Sequence, residues 1–256
     1  MNFLKKSMIS VVFAMGLGAF STQASAACGS ISIAEMDWAS AEMFAHIDKV
    51  VLENGYGCEV ELVPGATMPT ATSMMEKGEP DVAPELWINA VRTALDAATA
   101  EGRLHYAAEV FSDTGEEGWW IPQYIADANP EIQTVEDALA RPDLFPHPEG
   151  GSGALYTCPS GWNCQLSTGN LFKAFGGEAA GFRIVDPGSG GALAGSIAEA
   201  YGKGEGWFGY YWAPTAILGK YPMKKLSFDV PHDNDEWNSC TSQEDCADPQ
   251  KNSWVV

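Results

Sequence analysis

Apolar and polar residues follow each other along this chain in a pattern that predicts alternating strands and helices. Residues 30–34 alternate with the period of a strand, and residues 40–52 carry apolar side chains at helical spacing until Asn54 and Gly55 end the helix. Residues 58–63 have the pattern of a second strand. A strand, a helix and a strand in this order predict a parallel sheet and therefore an α/β fold.

The same patterns continue along the rest of the chain. Further strands are predicted at residues 81–84, 116–126, 183–185 and 206–212. Further helices are predicted at residues 69–76, 89–100, 134–139, 166–175 and 193–201, with a Pro- and Gly-rich loop at residues 141–153. Thr134 and Asp137 have the spacing of a capping box at the start of one of these helices.

A change of character near Gly115 divides the predicted elements into two blocks. We expect residues 27–115 to form the first part of one lobe and residues 116–222 to form a second lobe, with a ligand cleft between them. Residues 223–256 are expected to return to the first lobe. Trp87 lies at a predicted strand-to-helix junction, which is the ligand-facing edge of an open α/β sheet.

The first 26 residues have the features of a secretory signal peptide. Lys5 and Lys6 precede an apolar run at residues 8–20, and the small residues that follow predict cleavage after Ala26. The run is shorter than the about 20 residues that span a bilayer, so we expect an exported, periplasmic protein. Acylation at Cys28 is an alternative, although Ser25 stands where a lipoprotein signal carries a large aliphatic residue.

The six cysteines indicate a disulfide framework, because an even count is typical of secreted chains. Connectivity does not follow from sequence, and local closure is the simplest hypothesis. It pairs Cys28 with Cys58, Cys158 with Cys164, and Cys240 with Cys246. Zinc is the competing interpretation, but the spacing is not that of a zinc site and neither close pair has a neighbouring His, so no metal is expected.

The charge of the chain excludes one class of partner. There are 14 Lys and Arg residues against 34 Asp and Glu residues, a formal net charge of −20. Nucleic acid binding requires a basic patch, so we exclude it. Such an acidic surface attracts cations weakly and keeps a protein soluble in a salty medium. No motif indicates a cofactor.

Nine tryptophans are more than core filling requires, and several stand beside Gly, Pro or Cys in turn-like segments. Tryptophan is the best aromatic partner for a cation that carries no N–H group. Loop positions fix the backbone while leaving the ring free to face a cleft. The pattern therefore favours an aromatic cage for a methylated ammonium.

Three segments in the same order carry a resemblance to a known family. They are Ala83-Pro-Glu-Leu-Trp87, the loop Cys158-Pro-Ser-Gly-Trp-Asn-Cys164, and Phe208-Gly-Tyr-Tyr-Trp-Ala-Pro214. With these motifs the chain, from Cys28 to Val256, resembles the periplasmic substrate-binding proteins of ABC transporters for glycine betaine, proline betaine, choline and trimethylamine N-oxide. The resemblance implies an α/β, type II periplasmic-binding-protein clamshell of two lobes. It also implies a monomer that docks on a membrane permease.

The resemblance implies a set of cage residues. The rings that box the quaternary ammonium would be those of Trp87, Trp162 and Trp212. Trp38 matches a further cage residue of choline-type relatives, and the Trp119-Trp120 pair falls where those relatives place one more aromatic. Trp119 is the cage candidate of the pair, although a one-residue shift in strand register would exchange the two faces. The remaining tryptophans are expected in the core, on the opposite strand face or at the surface: Trp120, Trp207, Trp237 and Trp254.

The sequence determines less clearly which residues bind the polar end of the ligand. The resemblance implies that the backbone N–H groups of Asn163 and Cys164 bind a ligand carboxylate. Some betaine binders carry a His four residues after the first cage tryptophan, and Val91 stands there, beside Arg92. Glu117 shares a strand face with Trp119 and would place an acidic group in the cage. Glycine betaine, trimethylamine N-oxide and choline therefore all stay open.

Two other classes of function remain. Aromatic clefts with paired carboxylates, here Glu116 and Glu117 beside tryptophans, also occur in carbohydrate-active enzymes. Adjacent residues of a strand point to opposite faces, however, and do not straddle a bond. The four His residues accompany no nucleophile motif, so no enzyme is expected. A binding module with a sensing role is the other alternative.

The end of the chain carries one further expectation. Residues 252–256 have the pattern of a new apolar strand, whereas members of the resembled family continue through several more elements. We therefore expect the return to the first lobe to be incomplete, as in a chain truncated at its C-terminus.

Overall fold

The computed structural model describes residues 28–89, 91–112 and 115–254. The predicted signal peptide, residues 1–26, lies outside them. Within these ranges, no helix combines the length and the apolar character that a bilayer crossing requires.

The first lobe is built on a parallel pair of strands. Strand β1 (Ser30–Met36) pairs with β2 (Glu59–Gly65), and a bridge from Ile33 to Val82 extends the pairing. Helix α1 (Ala39–Val51) connects the two strands and continues as a π-helical turn to Tyr56. The predicted β-α-β unit is confirmed. The lobe also contains α2 (Thr67–Lys77) and α3 (Arg92–Ala100).

Helix α1 buries a different face from the one its large apolar residues define. Its buried residues are Ala41 and Ala45, whereas Met43, Ile47 and Val50 are about half exposed. Small alanine side chains allow the helix backbone to approach the two strands closely. The periodicity therefore predicts the helix correctly but not the direction in which it faces.

The second lobe contains a mixed sheet with the strand order β5-β4-β6-β3-β7. Strand β4 runs parallel to β5 and β6, whereas β3 runs antiparallel to β6 and β7. Its strands are β3 (Glu116–Pro122), β4 (Gly153–Tyr156), β5 (Phe182–Val185), β6 (Gly209–Ala213) and β7 (Met223–Lys225).

Helices cover this sheet and connect its strands. They are α4 (Gln123–Ala128), α5 (Val135–Leu139), a 3-10 turn (Pro142–Leu144), α6 (Cys164–Ala174), α7 (Gly190–Lys203), α8 (Ala216–Lys220) and α9 (Asn234–Glu236), which continues as a π-helical turn (Trp237–Thr241). The predicted capping box of α5 is confirmed. Asp137 N–H donates to Thr134 Oγ1 over 3.1 Å, and Thr134 N–H donates to the Asp137 carboxylate over 2.9 Å.

Several predicted elements differ from the structure. The strand predicted to run to residue 126 ends at Pro122, where α4 begins. Residues 252–254 form no strand. Residues 223–225 do not return to the first lobe, because β7 pairs with β3 and Lys225 forms an ion pair of 3.0 Å with Glu116. The segment that follows also packs on the second lobe, through Asn170 of α6.

The main core lies in the second lobe and is aromatic. Its largest fully buried side chains include those of Trp119, Trp207, Phe145, Phe182 and Phe208. A smaller cluster in the first lobe comprises Ile33, Ala45, Cys58 and Val60.

All six cysteines form disulfides. The bonds join Cys28 to Cys58, Cys158 to Cys164, and Cys240 to Cys246, which confirms the predicted local pairing. Within the described ranges, no group of three or more His, Cys, Asp or Glu side chains is placed to hold a metal ion.

Candidate functional site

A cleft takes side chains from both predicted lobes. The first lobe contributes residues that follow β1, begin α2 and precede α3, and the second lobe contributes residues of β3, β6 and α6. The aromatic residues that line the cleft are Trp38, Trp87, Trp162, Tyr210, Trp212, Trp237 and Trp254.

Trp162 is the centre of this aromatic group. Its ring meets those of Trp38 and Trp212 edge to face, with 5.3 Å between ring centroids in each pair. Its indole N–H donates to Asp37 Oδ1 over 2.6 Å. Gly190 allows this approach, because a Cβ there would lie 2.9 Å from the Trp162 ring and 2.6 Å from the Asp37 carbonyl oxygen.

Glu85 connects the two tryptophans of the first lobe. Its Oε1 accepts hydrogen bonds from the indole N–H groups of Trp38, over 2.8 Å, and of Trp87, over 2.9 Å. Ser40 Oγ donates to the same oxygen over 3.1 Å. The Glu85 side chain is buried, and its Oε2 has no hydrogen-bond partner among the described residues. One carboxylate thus holds two rings that face the cleft.

Glu117 and Tyr210 form an acidic pair in the wall of the cleft. Glu117 lies opposite Trp212 in the β3–β6 ladder, and the Tyr210 hydroxyl donates to Glu117 Oε1 over 2.6 Å. Burial raises the pKa of Glu117, and hydrogen bonds from Tyr210 and Trp254 and the charge of Lys225 oppose that rise. Burial and the neighbouring Glu117 raise the pKa of Tyr210 well above its usual value.

The raised pKa of Glu117 predicts that stability depends on pH. An acid whose pKa is higher in the folded state stabilises the fold fully below its unfolded pKa, about 4.3, and loses that contribution as pH rises through the folded pKa. We therefore expect the Glu117→Gln variant to gain in Tm relative to the wild type as pH rises above about 4. Thermal melts of both proteins between about pH 4 and 8 measure this gap. A gap that narrows as pH rises would contradict the assignment.

The N-termini of two helices meet at the other wall. Cys164 begins α6 and Thr67 begins α2, and Met68 N–H donates to the Gly161 carbonyl over 3.0 Å. The backbone N–H groups of Asn163 and Cys164 have no acceptor among the described residues. Helix N-termini carry partial positive charge and free N–H groups, which suit a carboxylate.

The structure does not bring Trp119 to the cleft, which corrects the predicted cage. Trp119 shares a strand face with Glu117 but lies two residues, or about 6.5 Å, further along β3. Its ring is fully buried against Phe175, Phe208 and Phe228. Trp120 donates its indole N–H to the Tyr211 carbonyl over 2.9 Å and also lies apart from the cleft.

Trp237 and Trp254 are buried in the main core, as predicted, and they also line the cleft, which the sequence does not predict. Their ring centroids lie 5.4 Å apart, and Trp254 lies 5.7 Å from Tyr210. Asn170 Nδ2 holds this part of the chain by donating to the carbonyls of Cys240, Thr241 and Gln243 over 2.8 to 3.2 Å. One sequence feature could have indicated that Trp237 lines the cleft. A disulfide cysteine follows Trp237 closely, and the same is true of Trp162.

The position four residues after Trp87, where some betaine binders carry a His, is apolar. Val91 is buried with Ala71 and Leu95, and Arg92 donates to Asn89 Oδ1 over 3.2 Å. Neither Val91 nor Arg92 lines the aromatic cleft, whereas Asn89 does. A direct contact from this position to a ligand carboxylate is therefore absent from the described cleft.

Comparison with known proteins shows the family and the fold of the chain. Residues 29–255 match the family OpuAC, the substrate binding domain of ABC-type glycine betaine transport system. No curated protein matches the chain.

Solved structures share the fold at low identity. The glycine betaine, L-proline ABC transporter binding protein (ProX) of Borrelia burgdorferi is 15% identical with a TM-score of 0.60, over 77% of this chain and 68% of that one. Lactococcal OpuAC complexed with glycine betaine is 14% identical with a TM-score of 0.58, over 82% and 73%. An ABC-transporter choline binding protein in complex with choline is 15% identical with a TM-score of 0.60, over 78% and 65%.

These matches confirm the predicted α/β, type II periplasmic-binding-protein fold of two lobes. They also confirm the resemblance drawn from the three tryptophan motifs. The chain belongs to the family of substrate-binding domains of ABC-type glycine betaine transport systems.

Proposed function

We propose that this protein binds a methylated ammonium osmolyte in the aromatic cleft and delivers it to the permease of an ABC importer. It acts as an exported monomer in the periplasm, after removal of the signal peptide. The observation that carries the proposal is the convergence of Trp38, Trp162 and Trp212, whose ring centroids lie 5.3 Å apart in successive pairs at the cleft.

The chemistry of the guest explains why rings bind it. A trimethylammonium group spreads its charge over methyl groups and donates no hydrogen bond. Ring faces offer it both apolar contact and electrostatic attraction, worth about 0.5 to 2 kcal/mol for each ring. Three to five rings supply about 1.5 to 10 kcal/mol, and micromolar binding, which needs about 8 kcal/mol, falls in the upper part of that range. The acidic residues Glu85, Asp37 and Glu117 around the rings favour a cation further.

The first candidate ligand is glycine betaine. Its carboxylate suits the backbone N–H groups of Asn163 and Cys164, which have no acceptor among the described residues. The disulfide from Cys158 to Cys164 closes the loop that carries these donors. A preorganised donor pair lowers the ordering cost of binding.

A specific observation favours a second candidate, trimethylamine N-oxide or choline. Glu117 lies in the cleft wall, and burial raises its pKa. A protonated carboxyl group donates a hydrogen bond to an N-oxide oxygen, and an ionised one accepts a hydrogen bond from a hydroxyl group. Either ligand uses Glu117 instead of the two backbone donors.

Isothermal titration calorimetry of the signal-free protein tests the proposal. Its ligands are glycine betaine, choline, trimethylamine N-oxide and dimethylsulfoniopropionate. We expect micromolar or tighter binding of at least one of them. Glycine betaine binding that survives Glu117→Leu supports the backbone donors, and trimethylamine N-oxide binding that Glu117→Leu abolishes supports Glu117. A folded protein that binds none of the four contradicts the proposal.

We propose that the cleft carries out no catalysis. Glu116 forms an ion pair with Lys225 at the exposed edge of β3, whereas Glu117 faces the cleft. The two acids therefore do not flank one bond of a bound sugar. NMR spectra of osmolytes and sugars after incubation with the protein should show unchanged ligands.

The gene neighbourhood distinguishes transport from a sensing role. Genes for a permease and an ATPase beside this gene would favour transport.

The disulfide beside the cage should affect affinity as well as stability. Replacing Cys158 and Cys164 together by Ala should reduce the free energy of unfolding by about 2 kcal/mol and weaken ligand binding about fivefold, because the loop donors lose their fixed geometry. Replacing Cys28 and Cys58 by Ala is the matched control. It opens a longer loop, so it should cost about 4 kcal/mol and leave affinity unchanged. Calorimetric titrations and melts of both variants measure the contrast, and equal losses of affinity would contradict it.

A further inference from the structure

Glu85 and Asp37 hold cage tryptophans through their indole N–H groups. Neither side chain lines the aromatic cleft, although Glu85 lines an adjoining cavity that shares Trp87 and Glu117 with it. Yet Glu85 accepts the indole N–H groups of Trp38 and Trp87 on a single oxygen, and Asp37 accepts that of Trp162. Three cage rings, all facing one cleft, therefore have their only polar atom bonded to a carboxylate.

The surroundings of Glu85 are unusual for a carboxylate. Its side chain is 2% exposed, and Oε2 has no hydrogen-bond partner among the described residues. None of the ion pairs within the described ranges includes it. A buried charge without a charged partner reduces stability, so a purely structural acceptor would be better served by a neutral amide or hydroxyl. A cation bound in the cleft would lie across the rings from this carboxylate and would provide the positive charge that Glu85 lacks.

Indole chemistry explains how this charge reaches the ligand. A cation is attracted by the negative face of the ring. An indole N–H that donates to a negative oxygen carries more electron density in its ring, and the carboxylate adds its own attraction through a medium of low dielectric constant. The hydrogen bond also selects one orientation of each ring.

We propose that Glu85, assisted by Asp37, is a positioning residue of the cage that makes the rings selective for a guest with a positively charged head group over one with a neutral head group of the same shape. This inference rests on the proposed function, because it concerns how the same cleft recognises a methylated ammonium. It assigns charge selectivity to the carboxylates that accept the indole N–H groups, in addition to the rings themselves.

The test compares two ligands of one shape. Glycine betaine and 3,3-dimethylbutanoate differ only in that carbon replaces the charged nitrogen. We expect Glu85→Gln to weaken glycine betaine about fivefold to tenfold and to change 3,3-dimethylbutanoate, measured by competition, by less than about twofold. Asp37→Asn should have a smaller effect in the same direction, because Asp37 is partly exposed.

The matched control is Glu42→Gln, which removes the same charge from an exposed side chain in the first turn of α1. It should leave the affinities for both ligands unchanged. Indole N–H resonances provide a second measurement, without ligand. Those of Trp38 and Trp87 should move in Glu85→Gln, whereas those of Trp120 and Trp207, which donate to other acceptors, should not.

The outcomes separate this inference from the proposed function. A wild-type protein that binds no methylated ammonium overturns the proposed function and the inference with it. Wild-type binding with equal losses for both ligands in Glu85→Gln, with no loss, or with unmoved Trp38 and Trp87 resonances overturns the inference alone. If Glu85→Gln does not fold, Asp37→Asn provides the same comparison through the Trp162 resonance, and an unchanged ratio of affinities there overturns the inference.

Discussion

Replacing Trp162 by Ala should weaken binding of the preferred osmolyte by at least tenfold, and up to about a hundredfold. Trp162 contacts both Trp38 and Trp212, so its loss removes one ring face and also the support that orients two others. Single Ala substitutions of Trp87 and Trp212 should also cost at least tenfold. Calorimetric titration of each folded variant measures these losses.

The control for this prediction is Trp207→Phe. Trp207 is buried against Tyr156 and does not line the cleft, so this variant should lower Tm slightly and leave affinity unchanged. Trp237, which the motifs alone would have suggested as a control, is unsuitable because it lines the cleft. An affinity loss in Trp207→Phe as large as in Trp162→Ala would contradict the cage.

Replacing Trp119 by Ala should reduce stability and leave ligand affinity unchanged. The ring is fully buried against three phenylalanines, so its removal leaves a cavity and should reduce the free energy of unfolding by about 3 to 5 kcal/mol. Tm should fall by roughly 10 °C. Binding by the fraction that remains folded should not change. Thermal melts and titrations at low temperature separate the two effects.

Trp119→Phe supports this test by retaining most of the packing. It should recover much of the lost stability, since a smaller cavity remains. A Trp119→Ala protein with wild-type stability and no affinity would show instead that the ring contacts the ligand.

The sequence was most informative where local pattern and local structure coincide. The period of residues 30–34 and the helical spacing after Ser40 predict the first β-α-β unit, and Thr134 with Asp137 predicts a helix start, because each depends on neighbours in the chain. The loop from Cys158 to Cys164 similarly carries its own disulfide, so its tryptophan could be placed from a short segment.

The sequence-based predictions fail where contacts between distant parts of the chain determine the structure. Trp119 lies on the strand face predicted for a cage residue, but its ring is buried by Phe175, Phe208 and Phe228. These phenylalanines are distant in the chain, so no local sequence pattern predicts the burial. Trp254 reaches the cleft only because β7 joins the second sheet and Asn170 ties down the segment that follows. Strand β4, of four residues in a Gly-rich stretch, is too short to give a period.

The placement of Trp237 and Trp254 has a consequence for how the protein folds. The cleft takes Trp38 and Trp87 from near the start of the described chain and Trp237 and Trp254 from its end. The cleft is therefore complete only after residues 240–243 have docked on α6 through Asn170. A ligand of the complete cleft then stabilises the finished fold and not its earlier intermediates.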